Sequence, residues 1–233
     1  MFTPIDILFE HSDFVIVNKP DNIAVQNEKN QPGILPLLCQ QLKLDKLWLI
    51  HRLDKVTSGI LIVAKNAKAA AVFGELFENR KIEKYYLAMS IKKPKKKQGA
   101  VKGGMKKVRD GKWMLDNSQT NQALSQFFSF SIAAGLRLFL IKPLTGKTHQ
   151  IRVALKSLGS PILGDELYKG EVSDRTYLHA YCVRFEYQQQ LIEVLCQPNI
   201  GSFFTQKETQ AQITNLKTPW LLKWPIIKLS NGK

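Results

Sequence analysis

Apolar positions along the chain switch repeatedly between period two and period 3.6, and the switches divide it into strand and helix candidates. Ile5–Glu10 and Asp13–Lys19 read as two short strands separated by His11-Ser12, so a hairpin opens the chain. Ile34, Leu37, Leu38, Gln41 and Leu42 follow helical spacing over residues 34–44, with Pro36 tolerated in the first turn. Leu47–Ile50 and Gly59–Lys65 are unbroken apolar runs of buried-strand type. Asn66 then caps a helix from Ala67 to Asn79, whose inward face is Ala70, Phe73 and Phe77 with Val72 and Leu76 alongside. Strands follow at Tyr85–Ile91, Ala123–Ser131 and Leu136–Ile141, the last two antiparallel about residues 131–135. Residues 148–158 form an amphipathic helix with Ile151, Ala154, Leu155 and Leu158 inward and Gly159 as its stop. Tyr177–Tyr187 and Leu191–Leu195 complete the sheet, and a tail bearing Trp220, Leu221, Leu222, Trp224, Ile226 and Ile227 docks on the surface or meets another molecule. The pattern predicts one α/β domain of the α+β type, residues 1–233, with a mixed, largely antiparallel sheet flanked by helices.

Charge changes the picture. Thirty-four Lys and Arg oppose 19 acidic residues, a net charge of +15 over 233 residues, which favours a polyanionic partner; nucleic acid leads and an anionic membrane surface trails. Residues 92–112 hold ten of the cations and one acid, so this stretch carries most of the excess. Its four glycines and low hydrophobicity predict a flexible basic insertion that grips phosphates and orders on binding. No window approaches about 20 apolar residues and the start lacks a signal peptide, so no membrane partner and a cytoplasmic location are expected. Cys39, Cys182 and Cys196 lie far apart without a CxxC and read as reduced core residues. There is no dinucleotide glycine motif, no phosphate-loop motif and no metal-ligand spacing, and the expectation is a chain without cofactor or metal. Oligomeric state is not encoded legibly; a monomer is favoured.

Candidate chemistry concentrates in His51-Arg52-Leu53-Asp54-Lys55-Val56-Thr57-Ser58-Gly59, a charged turn between two apolar runs. An isolated Asp followed by Thr, Ser and Gly usually satisfies nearby backbone N–H groups. Six polar or charged side chains packed between buried strands instead suggest a carboxylate held ionised beside cations. The stretch resembles the HRLDxxTSG signature of the RluA-type RNA pseudouridine synthases, and every specified letter is present. Asn18-Lys19-Pro20, Thr145-Gly146-Lys147-Thr148-His149-Gln150-Ile151-Arg152, Gly164-Asp165-Glu166-Leu167-Tyr168 and Leu178-His179-Ala180 are similar to further landmarks of that family, in its order.

The resemblance implies a pseudouridine-synthase-like domain folded around a basic RNA-binding cleft, isomerising uridine in structured ribosomal or transfer RNA. It makes Asp54 the catalytic carboxylate, attacking C1′ or taking a ribose proton, Arg152 the cation that orients it, and Tyr86, two residues before Ala88, the active-site tyrosine that either removes the C5 proton or positions the base, with Tyr85 on the other face. Leu178 becomes the apolar wall of the uracil pocket. Arg52 is placed to occupy the space left by a flipped nucleotide, while His51 and His149 are orienting or RNA-contacting groups. Lys147, where the family has Arg, keeps a charge without a bidentate fork, and Ala154 stands where His is frequent. Asp21 and Asn22 replace the small residue and Gly that usually follow Pro20, and Lys19 reads as structural. Lys95, Lys96, Lys97, Lys106 and Lys107 are the RNA-gripping cations of the basic insertion. No S4-like module precedes the domain, so target choice falls to the domain, the basic insertion and the tail. Two other classes stay open: a catalytically silent RNA-binding protein on the same fold, and a base glycosylase using the same carboxylate.

Overall fold

The computed structural model describes residues 4–28 and 31–226. Its opening hairpin pairs β1 (Asp6–Glu10) with β2 (Phe14–Lys19). Next come α1 (Ile34–Leu42), the two-residue β3 (Trp48–Leu49) and β4 (Ser58–Ala64), buried at every position as its unbroken apolar run requires. α2 (Ala67–Glu78) starts where the Asn66 side chain accepts the Ala69 N–H at 2.8 Å, a side-chain N-cap. Phe73 on this helix is fully buried, but Val72 is 37% exposed. Adjacent helical residues lie about 100° apart, and the buried stripe is narrower than the sequence pattern suggests.

The second half begins with β5 (Glu83–Ser90), β6 (Gln98–Lys107), β7 (Trp113–Asp116), β8 (Gln122–Ala133) and β9 (Leu136–Pro143). α3 (Gln150–Ser157), β10 (Leu178–Tyr187), β11 (Gln190–Leu195) and α4 (Lys207–Thr214) complete it. The strands form a sheet of order β1-β2-β4-β10-β5-β9-β8-β6-β7, with β3 added to β4 and β11 to β10. Among the described residues every strand pairing is antiparallel except β4 with β10, which is parallel and covers two positions, Ser58 with His179 and Gly59 with Ala180. From Cys182 onward β11 takes over that edge of β10. The expected mixed, largely antiparallel sheet flanked by helices is the observed one.

β4 and β10 meet at the junction of two hydrophobic clusters. One packs β2 and β4 against α1 and α2 through Phe14, Ile16, Leu61, Val63, Leu38 and Phe73. The other packs β5 and β9 against α3 and α4 through Leu87, Met89, Phe139, Leu155 and Ile213, and residues of β10 enter both. In the tail, Trp220, Leu222 and Trp224 pack on the second cluster, whereas Leu221 and Ile226 are exposed; Ile227 lies outside the described residues.

Within residues 92–112, the stretch 98–107 is a paired strand of a hairpin and not a loop. Gln98–Lys107 is a ten-residue strand hydrogen-bonded to β8 on one side and, at its far end, to β7 on the other. Glycine and lysine obscure it in sequence, but backbone pairing needs no apolar side chain. Gly104 leaves room for side chains of the β7 end, since a Cβ there would lie about 2.3 Å from the Asp116 carboxylate, and a Cβ on Gly103 would lie 3.2 Å from the Asp116 carbonyl. Among the described residues no helix is long and apolar enough to cross a membrane.

The β4–β10 junction depends on Gly59. Its φ is +101°, and a Cβ there would lie within 2.3–2.9 Å of the Ala180 backbone. Gly59→Ala therefore meets both strain and an immovable neighbour, and is expected to lower stability by more than about 2 kcal/mol in urea denaturation.

Candidate active site

The turn that carries Asp54 is held from below. Its own backbone closes with the Thr57 N–H on the Asp54 carbonyl at 3.0 Å. Lys19, fully buried at the end of β2, donates to the carbonyls of Pro20 (2.6 Å), Ile23 (2.8 Å) and Lys55 (3.2 Å), tying the turn to the opening hairpin. Burial pushes its ammonium down to about 7, while the nearby charges of Asp21 and Asp54 act in the opposite direction. On the other flank Ser58 joins a buried relay. Arg175 donates to Ser58 Oγ at 2.6 Å, Ser58 pairs with His179 Nδ1 at 2.7 Å, and His179 Nε2 reaches the Cys196 carbonyl at 2.8 Å. A carbonyl can only accept, so Nε2 carries the proton and Nδ1 accepts from Ser58.

Above the turn, Arg152 projects from α3. Its Nε and Nη2 donate to the two oxygens of Asp165 at 2.8 and 2.7 Å, a bidentate pair, and its Nη1 lies 3.4 Å from Asp54 Oδ2. Burial works against the Arg152 charge, but the Asp165 hydrogen bonds and the two carboxylates outweigh it and raise the guanidinium above its ordinary value. Tyr168, in a one-turn 3-10 helix at Glu166–Tyr168, lies under the guanidinium with its ring 5.0 Å away. The Tyr168 hydroxyl accepts the Trp113 N–H at 2.9 Å, which leaves its proton free for His149 Nδ1 at 2.8 Å. His149 Nε2 lies 3.9 Å from Asp54 Oδ2, longer than a hydrogen bond. Burial pushes His149 below the ordinary histidine value, with Asp54 pulling it up.

Asp54, Arg52, His51, Tyr86, Lys147, His149, Arg152 and Leu178 all line one open cleft of about 900 Å³. Tyr86 faces the cleft; its neighbour Tyr85 is fully buried on the other side and donates to Glu83 at 2.9 Å. Burial and the Asp54 charge raise the Tyr86 hydroxyl above its ordinary value, so it is a neutral phenol. His51 faces the cleft with one edge, but its Nε2 accepts the Ile62 N–H at 3.0 Å and its ring packs on Phe77. Arg52 is exposed at the rim and Lys147 is half-buried there.

The five lysines of the basic stretch do not line the cleft. They stand at the two ends of β6, roughly 33 Å apart for ten extended residues. Lys106 and Lys107 pair with β7 beside Tyr168, whereas Lys95 is bonded to the far end of α3 through the Leu158 carbonyl.

Sequence reasoning assigned no role to Asp165, Tyr168 or Gln150, which the structure places around the same centre. Gln150 Oε1 accepts from Thr145 and from the Lys147 N–H, and its Nε2 donates to the Leu124 carbonyl and Ser125, fixing the 145–148 turn. Their only signal was position inside family-like motifs. Among the described residues no three His, Cys, Asp or Glu side chains group to hold a metal. A carboxylate that one guanidinium edge orients, below a cleft with a phenol and an apolar wall, can attack or deprotonate a bound sugar while its base is retained.

A split mixed sheet with this cleft at its junction defines the class: a pseudouridine-synthase fold. Human RNA Pseudouridylate Synthase Domain Containing 4 superposes with a TM-score of 0.72 and 26% identity, covering 90% of this chain and 93% of that one. The family model described as RNA pseudouridylate synthase matches residues 13–157. An uncharacterized RNA pseudouridine synthase of Haemophilus influenzae is 50% identical over 222 residues, 94% of this chain and 99% of the relative. The ribosomal large subunit pseudouridine synthase C of Rickettsia bellii is 32% identical over 186 residues, covering 75% of this chain and 61% of that protein. The chain belongs to the RNA pseudouridine synthase family, enzymes that isomerise uridine in RNA to pseudouridine.

The buried histidines predict acid sensitivity. Burial pushes both His51 and His179 down to about 3, against an ordinary value of 6.5. Below pH 6.5 the unfolded chain takes up protons there that the folded chain refuses, so stability is complete above that pH and declines as pH falls toward 3. At pH 5 each histidine costs about 2 kcal/mol relative to pH 7. His179→Gln, which cannot titrate, should show a correspondingly smaller difference in urea-derived stability between the two pH values.

Proposed function

We propose that Asp54 is the catalytic carboxylate of uridine isomerisation in ribosomal or transfer RNA. The observation that carries this reading is the Arg152 guanidinium, locked by Asp165 and presenting its remaining edge to Asp54. In this reading the target nucleotide leaves its stack and enters the cleft, with Arg52 at the rim placed to fill the gap. Asp54 attacks C1′, or removes a ribose proton to give a glycal; either way the C1′–N1 bond breaks and its electron pair leaves with the uracil. The detached base turns between Tyr86 and Leu178 and its C5 bonds to C1′, displacing the Asp54 carboxylate from C1′ in the first route or with the C2′ proton returned from Asp54 in the second; C5 then gives up its proton and N1 gains one. Atoms and charge balance without an external oxidant or reductant. Tyr86 enters as a neutral phenol, suited to holding the ring and hydrogen-bonding it; proton removal from C5 falls to the Asp54 carboxylate or to water.

Relatives whose names give a substrate are ribosomal large-subunit enzymes, so ribosomal RNA is the first substrate to test and transfer RNA the second. We place the enzyme in the cytoplasm, acting as a monomer. The direct experiment is tritium release from RNA labelled at uracil C5, prepared from cells lacking this protein. Wild type is expected to release tritium. Asp54→Ala should release none while its RNA Kd stays within about threefold of wild type, because removing one carboxylate leaves the basic surface intact. Residual turnover by Asp54→Ala would remove the assignment. Release of free uracil would identify a glycosylase, and binding without release by wild type would identify a silent binder.

The two ends of β6 are the outer grips of this reading. Neutralising Lys95, Lys96, Lys97, Lys106 and Lys107 together should weaken RNA binding and flatten the plot of log Kd against log salt, by up to about 0.7 to 0.9 for each phosphate that these lysines neutralise. An unchanged slope would take the strand off the RNA.

A further inference from the structure

The cations around the cleft differ in what already occupies them. Arg152 is held by Asp165 and Asp54, Lys142 by Glu83 at 2.7 Å, and Lys55 by Glu28 at 2.6 Å. Arg52 and Arg80 are exposed, and Lys147 is half-buried at the rim. Lys84 fits neither group. It lines the cleft from β5, is half-buried, and among the described residues has no carboxylate within 4 Å and no hydrogen-bond partner. Its surroundings are the Phe77 ring at 5.1 Å, the edge of His51, and Gly146, where even an added Cβ would stop 4.0 Å from Nζ. A cation over one phenyl ring recovers only part of an ammonium's hydration. Burial accordingly pulls Lys84 below the ordinary lysine value, and no neighbouring acid restores it. A half-buried ammonium on the cleft wall that no protein acceptor engages is open to an anionic ligand.

Position names the ligand class. Lys84 and Tyr86 are two apart on one strand, so both point to the cleft face, about 7 Å apart along the strand. If Tyr86 holds the uracil, a group one strand step away lies at the reach of the nucleotide's own sugar–phosphate linkage. A compact ammonium with three rotatable donors suits a tetrahedral phosphate approached from one side.

We propose that Lys84 is a phosphate-binding residue of the cleft, its ammonium receiving a non-bridging oxygen of a phosphodiester flanking the target uridine. This rests on the reading that Tyr86 and Asp54 hold the target nucleoside. Lys84 stands inside the cleft one strand step from Tyr86, so the interaction serves register: it fixes how far the flipped nucleotide enters, whereas the rim cations and β6 supply unspecific attraction.

The test measures RNA binding across a salt series in the Asp54→Ala background, where no chemistry intervenes, with and without Lys84→Met. The neutral variant is expected to raise Kd three- to tenfold at fixed salt and to reduce the slope of log Kd against log salt by the amount of about one neutralised phosphate. Lys84→Arg, which keeps the charge, should retain the slope. An unchanged slope and Kd in Lys84→Met would overturn the proposal. So would a fall in kcat for Lys84→Met in the otherwise wild-type enzyme with the slope preserved, since Lys84 would then act on the base. If Lys84→Met does not fold by its urea transition, Lys84→Gln replaces it under the same criteria. Failure of the tritium assay by wild type would instead strike the uridine reading itself, a separate result.

Discussion

The cleft is built around one desolvated guanidinium. Arg152 sits below the surface of α3, where an unpaired charge would cost several kcal/mol. Asp165 relieves that cost by meeting two of its donors in a planar, side-on pair. The geometry leaves Nη1 as the edge available to Asp54, at 3.4 Å. This division of labour matters chemically: a carboxylate gripped by the whole fork would be spent in a salt bridge, while one touched at a single corner stays oriented and open to the cleft. Tyr168 extends the arrangement by supporting the guanidinium with its ring and setting the His149 tautomer with its hydroxyl.

That constraint works only if the Asp54 turn cannot drift, and it is pinned at both ends by different means. On one side the pin is backbone: Gly59 lets β4 approach β10 where a side chain would collide. On the other it is the three-carbonyl grip of buried Lys19. The Arg175–Ser58–His179 relay fills the space between with satisfied polar groups, so the junction of two hydrophobic clusters contains a hydrogen-bonded seam.

Charge is distributed by function. Cations exposed on the rim and at the ends of β6 create attraction over distances of a Debye length and carry little positional information. The buried cations do the opposite: each has lost water, and each can be satisfied in few geometries. A protein with a net charge of +15 can therefore separate capture of a polyanion from placement of one nucleotide.

Much of this was legible in the chain. β2 and β4 are apolar runs that no other element would bury, Asn66 caps its helix locally, and the alternation at Tyr85-Tyr86 sends one ring each way, because these depend on neighbours within a few residues. The clustering of Asp54 with cations was visible as motif density and family resemblance. What stayed hidden is non-local. β6 carries glycine and lysine in place of an apolar period, and it is a strand because β8 and β7 supply its hydrogen bonds from later in the chain. Asp54 and Arg152 meet across 98 residues, and Asp165, Tyr168 and Gln150 acquire their partners only when α3 packs against the sheet. The sequence by itself determined the residue types and the local elements. Tertiary structure decided which buried charges face which partners, because pairing and desolvation are properties of three-dimensional neighbours and not of spacing along the chain.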